Sequence, residues 1–369
     1  MGVDRMSRFQ VMKLENLCKV KYGKDHKRLG DGQIPVYGTG GIMRYANSAL
    51  YDRKSVLIPR KGSLGNIYFV DEPFWTVDTL FYTEIDESKV LPEYLYYKLK
   101  TIDFVSMNVG SAVPSLTTSI LNAVELEIPD FNTQKRIVEI MLVIDSKIEN
   151  NRKINDNLAK QAMILYQQFL IDNHEQLSTK KINDISTIVS GGTPSKKIDE
   201  YYTDGEISWI TPKDLSNQKT TFISSGEINI TSLGLQKSSA KLMPESTVLF
   251  SSRAPIGYIA ISKNPVATNQ GFKSLVADKG VSHCFLFLLL KANLEKIENL
   301  ASGSTFKEVS GAVMKSFEIE LPSIVLISNF SETIEPIFQL IERNEDQVKT
   351  LTKIRDNLLP NLLTGEIEL

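Results

Sequence analysis

The feature that most constrains the fold of this chain is an internal repeat of its two halves. Lys13–Leu17 returns as Lys181–Ile185, and the apolar run Ser55–Ile58 returns as Thr247–Phe250. The other matched pairs are Gly65–Ile67 with Gly257–Ile259, Gly110–Ser111 with Gly303–Ser304, and Glu127–Pro129 with Glu320–Pro322. The offset grows from 168 residues at Lys13 to 193 at Pro129. A period this long indicates two duplicated domains that diverged by insertion, not a solenoid of short units.

Each half ends in a long stretch whose apolar residues lie alternately four and three positions apart. This average spacing of about 3.5 residues is typical of a coiled coil. Each stripe contains an Asn, and a buried Asn at such a position costs stability but fixes register and partner number. The residues predicted to pair the two helices are Ile137, Ile144, Ile148, Asn151, Leu158 and Leu165 in the first and Ile337, Ile341, Asn344, Leu351 and Leu358 in the second.

One such helix in each half favours an intramolecular, antiparallel pair. About 35 residues at 1.5 Å each give a rod of roughly 50 Å. The alternative is a pair of amphipathic helices that lie on separate domain cores, which requires a wider apolar stripe than this one.

Between the helices, short apolar runs alternate with Gly and Pro. Ser55–Ile58 and Thr247–Phe250 are predicted to be buried strands, and Leu91–Leu99 and His283–Leu290 short helices. The predicted fold class is α+β, with two similar mixed α/β domains separated by two long helices that form an antiparallel coiled coil, as a pseudo-twofold repeat. The expected boundaries are 1–133 for the first domain, 134–173 for the first helix, 174–324 for the second domain, and 325–369 for the second helix and tail.

The composition excludes several classes of function. Two cysteines, Cys18 and Cys284, cannot build a disulfide framework, and they show no zinc-binding spacing, so we expect no metal. The sequence has no Walker-type phosphate loop. We predict a soluble cytoplasmic protein, because no apolar run reaches the roughly 20 residues of a membrane span and Met1–Phe9 lacks a signal-peptide core.

Two motifs imitate catalytic sites, and both fail. Asp71–Phe74 resembles the Asp-Pro-Pro-Phe loop of amino-methyltransferases, but it has Glu72 in place of a proline and no Gly-rich cofactor loop upstream. Asp145 and Lys147 imitate a nuclease Asp-x-Lys pair, yet residues two apart on a helix diverge by roughly 200°. We therefore predict a chain without catalytic residues.

The net charge of −2 conceals an uneven distribution of basic residues. Residues 13–61 carry eleven Lys and Arg against four acids, whereas residues 71–93 carry seven acids against one Lys. Arg, Lys, Asn and Gln read base edges, and Ser and Lys hold phosphates. Any single residue of this kind is more simply explained as solvated surface, but the set in two duplicated domains favours function. The candidate DNA-binding residues are Lys24, Lys27, Arg28, Arg44, Arg53, Lys54, Arg60, Lys61 and Ser63 in the first domain and Lys213, Ser251, Ser252, Arg253, Asn269, Gln270 and Lys273 in the second.

The sequence resembles the specificity subunit of Type I restriction–modification enzymes over essentially the whole chain. The resemblance rests on Ser55–Gly65, Leu91–Tyr97, Gly110–Leu116 and Ile128–Ile137, and most specifically on Ile144–Asn155 and the ending Leu358–Glu366. The second half departs from the pattern at two places. Pro322–Phe330 lacks the usual Gln-Lys/Arg-Ile entry to the helix, and Arg253–Gly257 stands in place of Arg60–Gly65.

The resemblance implies that each domain is a target-recognition domain for one half of a bipartite, asymmetric site in double-stranded DNA. The helices would set the gap between half-sites, as geometry does in other bivalent readers. They would also dock two modification (methyltransferase) subunits, which restriction/translocase subunits then join. The resemblance implies no catalysis and no bound cofactor for this chain itself, and the sequence patterns given above predict neither a metal nor a membrane partner. S-adenosylmethionine, ATP and Mg are expected on the partner subunits.

Two alternatives stay open at this point. A scaffold or silent cassette copy of such a subunit would keep the helices and lose DNA reading, which the full-length domains and their Gly/Arg turns disfavour. A stand-alone modification enzyme would need the cofactor and catalytic loops that the sequence lacks.

Overall fold

The computed structural model describes residues 9–110, 113–302 and 307–367. Ser111, Gly303 and Ser304 of the predicted repeat lie outside the described residues. The chain divides into two compact units, the first comprising residues 1–147 and 350–369 and the second residues 148–349. Each unit therefore includes part of both long helices, whereas the domains proposed from the sequence keep the helices separate.

The first unit is a mixed α/β globule. Its described strands are β1 (Phe9–Lys13), β2 (Cys18–Tyr22), β3 (Asp31–Gly38), β4 (Gly41–Ala46), β5 (Ser55–Pro59), β6 (Tyr68–Val70), β7 (Trp75–Thr76), β8 (Leu80–Ile85) and β9 (Glu125–Pro129). Its described helices are α1 (Leu14–Leu17), α2 (Pro92–Lys100), α3 (Thr118–Asn122) and the beginning of α4 (Phe131–Asp172).

Three small sheets organise this unit. One contains the strands in the order β2-β8-β5-β6, the second β4-β3-β7 with β3 parallel to β7, and the third is the antiparallel pair β1-β9. All five residues of β5 are buried, as its uninterrupted apolar sequence predicts. The core beneath the sheets includes Leu14, Val56, Phe81 and Tyr94.

The second unit contains a second set of strands and helices. The described strands are β10 (Ser178–Lys181), β11 (Thr187–Ser190), β12 (Ile207–Ile210), β13 (Phe222–Ile223), β14 (Ile228–Ile230), β15 (Val248–Phe250), β16 (Ile259–Ser262), β17 (Ala267–Thr268), β18 (Lys273–Val276) and β19 (Glu318–Leu321). The described helices are α5 (Ile182–Ile185), α6 (Pro212–Gln218), α7 (Ser232–Gln236), α8 (His283–Ala292), α9 (Leu294–Asn299), α10 (Gly311–Ser316) and α11 (Ile324–Leu363), together with short 3-10 turns at His174–Gln176 and Asp199–Tyr201.

The sheets of the second unit repeat those of the first. The order β11-β18-β15-β16-β13 matches β2-β8-β5-β6 with one added strand, and β14-β12-β17 matches β4-β3-β7. The parallel pair recurs as well, since β12 is parallel to β17, and β10-β19 reproduces the ribbon β1-β9. The duplicated, mixed α/β fold predicted from the sequence is therefore confirmed.

The long helices α4 and α11 pair antiparallel within each unit. In the first unit Arg355 donates a hydrogen bond to Asp145 at 3.0 Å. In the second unit Asn344 donates to Asn155 at 2.8 Å, and the rings of Phe169 and Phe330 stack at 4.4 Å. Positions that rise along α4 thus meet positions that fall along α11.

Asn151 and Asn344 occupy matching places in the repeat but do not face each other. Asn151 is buried and donates to Gln347 at 2.7 Å, while Asn344 donates to Asn155. Parts of both helices also lie in the cores of the globules: Ile137 of α4 packs in the first core, and Ile334 and Ile341 of α11 pack in the second. Helix pairing and packing on separate cores, posed as alternatives, therefore both occur.

By length and composition, α11 is one described helix that could cross a membrane, with a mean hydropathy of 1.2 over its most apolar window, 33% of which is buried. Its residues Ile334, Phe338 and Ile341 are buried in the core of the second unit. Part of the apolar face of α11 therefore packs within the protein.

Candidate nucleic-acid interface

Four loops of the first unit meet at the end of β5 and are joined by backbone hydrogen bonds. The Lys24 amide donates to the Thr76 carbonyl at 2.8 Å, and the Arg60 amide donates to the Thr79 carbonyl at 2.8 Å. The Leu116 amide in turn donates to the Arg60 carbonyl at 2.9 Å. We name this arrangement, residues 23–28, 60–63, 76–80 and 115–116, the first junction.

A cavity of about 590 Å³ opens beside the first junction. Its walls come from Asp25–Lys27, from the turn Gly38–Gly40 with Met43, and from Val77–Thr79. The Thr39 carbonyl holds the turn in place, because it accepts hydrogen bonds from the side-chain amide of Asn66 and the hydroxyl of Tyr68, each at 2.9 Å. The turn closes at Gly41, whose φ of +106° favours glycine.

Six of the nine residues predicted for the first domain belong to the first junction. Lys61 lies next to Arg60, whose guanidinium carbon stands 5.2 Å from the centre of the Tyr22 ring. The same guanidinium donates to the Asp78 carbonyl at 2.9 Å, so Arg60 is held in a fixed direction. The six residues are Lys24, Lys27, Arg28, Arg60, Lys61 and Ser63, of which all but the half-buried Arg60 are exposed.

The other three predicted residues lie elsewhere in the first unit. Arg53 and Lys54 precede β5, whereas the junction follows it, so roughly 17 Å of strand separates them. Lys54 forms an ion pair with Glu93 at 2.6 Å, and this hydrogen bond raises the pKa of Lys54. Arg44 donates to the Leu29 carbonyl at 3.1 Å and to Asp31 at 3.0 Å.

Arg53 lines a separate cavity whose wall is rich in acids. Its acidic members are Glu15, Asp52, Glu84 and Asp86. The same wall contains Lys19 and Lys89, so acids and bases are mixed there. Arg53 and Lys54 are set apart from the junction residues by strand β5.

The second unit contains an equivalent arrangement with the same backbone hydrogen bonds. The Gly192 amide donates to the Thr268 carbonyl at 2.9 Å, and the Ser252 amide donates to the Gly271 carbonyl at 2.7 Å. The Val309 amide donates to the Ser252 carbonyl at 2.9 Å. We name residues 191–193, 252–253, 268–272 and 308–309 the second junction.

These bonds correct the alignment of the two halves. Ser252 makes the same pair of backbone bonds as Arg60, so Arg253 is equivalent to Lys61. The sequence motifs alone align Arg253 with Arg60. The offset of 192 residues between Ser55 and Thr247 continues unchanged through this loop, and the shared Arg misled the comparison.

Two residues predicted to bind DNA are interior residues. Ser251 and Ser252 have no exposed surface, and their hydroxyls donate to the carbonyls of Pro255 at 3.0 Å and Gly271 at 3.1 Å. A side chain without exposed surface makes no contact with DNA, so this part of the prediction is wrong. Their hydroxyls instead stabilise the loop that follows β15, through these hydrogen bonds to backbone carbonyls.

Glu308 organises the cations of the second junction. It accepts hydrogen bonds from Arg253 at 2.9 Å and from Lys273 at 3.3 Å. Burial opposes ionisation of this carboxyl, but the bonds from Arg253 and Lys273 outweigh it and hold the pKa of Glu308 below its usual range. Lys273 is only 7% exposed, so it supports Glu308 from beneath and does not reach the surface.

The remaining predicted residues of the second unit have separate environments. Gln270 is exposed and accepts a hydrogen bond from the Thr193 hydroxyl, while Asn269 accepts one from the Gly271 amide at 2.9 Å. Lys213 is exposed on α6 and forms an ion pair with Glu227 at 2.9 Å. The second junction therefore presents Arg253 and Gln270 at its surface, and Thr193, Asn269 and Glu308 are partly exposed.

The junctions also depend on residues that the sequence analysis did not select. A Cβ atom at Gly23 would lie 2.0 Å from the Val77 carbonyl oxygen, and one at Gly191 would lie 1.9 Å from that of Asn269. Both positions therefore require glycine. Trp75 and Trp209 each hydrogen-bond the adjoining loop. Two sequence signals point to these residues. A glycine follows a strand at the same place in both halves, and the sequence contains only two tryptophans.

Comparison with known proteins decides the family. The model described as "Type I restriction modification DNA specificity domain" matches residues 6–160 and 174–349. The chain belongs to this family. The resemblance inferred from the sequence is thus confirmed. DNA target recognition by two domains is the role of the Type I specificity family, and its specificity subunits are the non-catalytic component of the complex.

Individual relatives agree with this assignment. The Type I restriction enzyme MjaIX specificity subunit of Methanocaldococcus jannaschii is 42% identical over 184 residues, which cover 49% of this chain and 42% of the relative. The HindI specificity subunit of Haemophilus influenzae is 27% identical over 388 residues, covering 82% and 84%. The chain thus spans less than half the length of the first relative and most of the second.

A solved structure supports the fold. The crystal structure of the Type-I restriction-modification system S subunit from M. genitalium matches with a TM-score of 0.62 and covers 98% of both chains. At 17% identity the likeness concerns the fold alone.

Proposed function

We propose that this chain is the DNA-recognition subunit of a Type I restriction–modification complex, and that each junction reads one half of a bipartite, asymmetric site. The supporting observation is that one backbone arrangement occurs twice with different side chains. Lys61 corresponds to Arg253, and Asp78 corresponds to Gln270. The two junctions therefore carry different hydrogen-bond donors and acceptors at equivalent backbone positions. Reading two half-sites of different base sequence requires such a difference.

In the first unit, exposed cations belong to the first junction, and one of them, Lys27, lines the cavity beside it. Lys24, Lys27, Arg28 and Lys61 are exposed and suited to phosphates. Asp25 and Asp78 line the cavity, and carboxylates accept hydrogen bonds from the amino group of cytosine. The Lys27 amide donates to Asp25, and this bond lowers the pKa of Asp25, which keeps it an acceptor.

In the second unit, Arg253 and Gln270 are the proposed base-reading side chains, with Asn269 next to Gln270. The exposed Lys213 of α6 is a proposed phosphate contact. Arg253 is half-exposed, and its ion pair with Glu308 orients the guanidinium. A fixed orientation favours a bidentate contact between the guanidinium and a base. Gln270 can pair with adenine through its amide.

The long helices are proposed to set the gap between half-sites and to dock two modification subunits. Val143 and Val325 are each 70% exposed, and Ile164 is 64% exposed. Large apolar side chains left open on helices are suited to a protein partner. We propose that S-adenosylmethionine, ATP and Mg bind to partner subunits, that restriction/translocase subunits join later, and that the complex acts in the cytoplasm.

The proposal is tested by reconstituting the chain with its modification subunits and mapping the methylated adenines. Arg60→Ala should weaken recognition of one half-site, and Arg253→Ala should weaken the other. Each variant is the control for its partner, because the two changes lie in different units. Equal loss at both half-sites would show damage to folding, and absence of any methylated motif with the wild-type chain would favour a silent copy.

A further inference from the structure

Three side chains with metal-binding atoms converge in the second unit, away from its junction. His283 and Cys284 begin α8, and Glu335 lies on α11. One ligand atom from each lies within 4.8 Å of the other two. The Cys284 thiol donates a hydrogen bond to Glu335 Oε2 at 3.2 Å. Cys284 has no exposed surface, while His283 and Glu335 are half-buried.

All three groups have atoms that can bind a metal ion. A neutral imidazole binds through the lone pair of a ring nitrogen, and a thiol binds as the thiolate once the metal displaces its proton. No hydrogen bond joins the His283 ring to another group in the described part of the chain.

We propose that His283, Cys284 and Glu335 bind one divalent transition-metal ion, with Zn²⁺ as the best match. Sulfur, imidazole nitrogen and carboxylate oxygen together are a zinc ligand set, and three protein ligands leave a fourth position for water. Mg²⁺ and Ca²⁺ are poor matches, because they take oxygen ligands.

The geometry is close to what such an ion needs. Zinc bonds of about 2.0–2.3 Å in a tetrahedron place neighbouring ligand atoms roughly 3.4–3.6 Å apart. The present separations of up to 4.8 Å therefore need to close by about 1 Å, which side-chain rotation can supply. On binding, the S–H bond breaks and a Zn–S bond forms, and one proton is released to solvent.

The site would fasten α8 to α11. The residues that follow Cys284 in α8, Phe285–Leu290, are all buried in the core of the second unit. Glu335 adjoins the buried residue Ile334 on α11. A metal ion here would therefore cross-link two elements of the same core, and we expect saturating Zn²⁺ to raise the melting temperature of the protein.

The test is titration of the metal-free full-length chain with Co²⁺, whose bond to a thiolate absorbs in the near ultraviolet. We expect one Co²⁺ per chain, displacement by Zn²⁺ but not by Mg²⁺, and release of one proton per ion. Cys284→Ser should abolish the thiolate absorption. Glu335→Gln should weaken binding by about tenfold or more.

Cys18→Ser is the matched control, because Cys18 is the other buried cysteine and lies in the first unit. It should bind Co²⁺ like the wild type. The proposal is overturned if the wild-type chain gives no thiolate absorption, if Cys284→Ser retains it, or if Cys18→Ser loses it. Should Cys284→Ser fail to fold, Glu335→Gln decides: unchanged affinity in that variant contradicts the proposal.

Discussion

Trp75 donates the hydrogen of its indole Nε1 to the backbone carbonyl of Lys24, with 2.9 Å between nitrogen and oxygen. Trp209 makes the same bond to Gly192, also at 2.9 Å. Gly192 takes the place of Lys24 in the second junction, yet the tryptophans lie on non-equivalent strands, β7 and β12. The two halves thus support the same loop from neighbouring strands.

Replacing Trp75 by Phe should release the loop that carries Lys24, Lys27 and Arg28. We expect a loss of about 1 kcal/mol in the free energy of unfolding, which is typical of one hydrogen bond, measured by urea denaturation. Binding to the first half-site should weaken, while the second stays unchanged. Trp209→Phe should show the reverse pattern, and a weakening confined to the wrong half-site in either variant would contradict the role of these bonds.

Lys61 and Lys54 offer a comparison of two lysines at opposite ends of one strand. Lys61→Ala should weaken binding to all DNA sequences and reduce the slope of log K against log salt by about one, because one phosphate contact is lost. Lys54→Ala should leave the slope unchanged, because Lys54 is paired with Glu93. Affinity measured from low to moderate salt checks this, and an equal effect of both changes would count against the junction.

Glu345 ties α11 to the strand that has no counterpart in the first unit. Its carboxylate accepts hydrogen bonds from the backbone amides of Thr221 at 2.7 Å and Phe222 at 3.0 Å. Burial nevertheless dominates and raises the pKa of Glu345 from 4.5 to about 7. The folded protein therefore binds this proton more tightly than the unfolded chain does.

Glu345 should make stability depend on pH. Because the folded pKa is the higher one, its contribution is complete below pH 4.5 and is lost as the pH rises through about 7. The loss is at most about 3 kcal/mol. Denaturation of wild type and Glu345→Gln from pH 5 to 8 should show the wild type losing stability relative to the variant. Glu332→Gln, at an exposed position of α11, should follow the wild type, and parallel profiles for all three proteins would refute the assignment.

The helices should control the length of the gap between half-sites. Adding seven residues after Lys153 in α4 and seven after Asp346 in α11 preserves the heptad phase and adds about 10 Å. The paired insertions leave Asn151 with Gln347 and Asn155 with Asn344. We expect the methylated motif to gain roughly three base pairs of gap. Insertion in α4 alone should abolish methylation, and an unchanged gap with both insertions would eliminate the spacer role.

Much of the fold was predictable because it depends on local patterns. The apolar run at Ser55–Ile58 is a buried strand, and the heptad spacing of Ile137 and Ile148 marks residues that are buried in the structure. The internal repeat predicts the two-domain organisation, since each pattern in the first half has a second copy in the other half. These signals lie within short windows of sequence.

The site was less predictable because it depends on loops that meet across the fold. Ser252 has the polarity of a phosphate ligand, and only its burial shows that its hydroxyl serves the Gly271 carbonyl. Lys54 and Lys61 look alike in sequence, and strand β5 separates them. His283 and Glu335 are distant in sequence and meet only because α8 packs on α11.

Backbone atoms, not side chains, hold each junction together, since the amides and carbonyls of Arg60 and Ser252 make the same bonds. Substitution at 24, 61 or 78 in one unit, or at 253 or 270 in the other, therefore leaves those bonds intact, whereas Gly192 has no room for a Cβ beside Ser239 and Ala240. Constraint should fall instead on Gly23 and Gly191, where no Cβ fits. A lineage could then acquire a new target sequence by point mutation in one unit, while the other unit keeps its half of the old one.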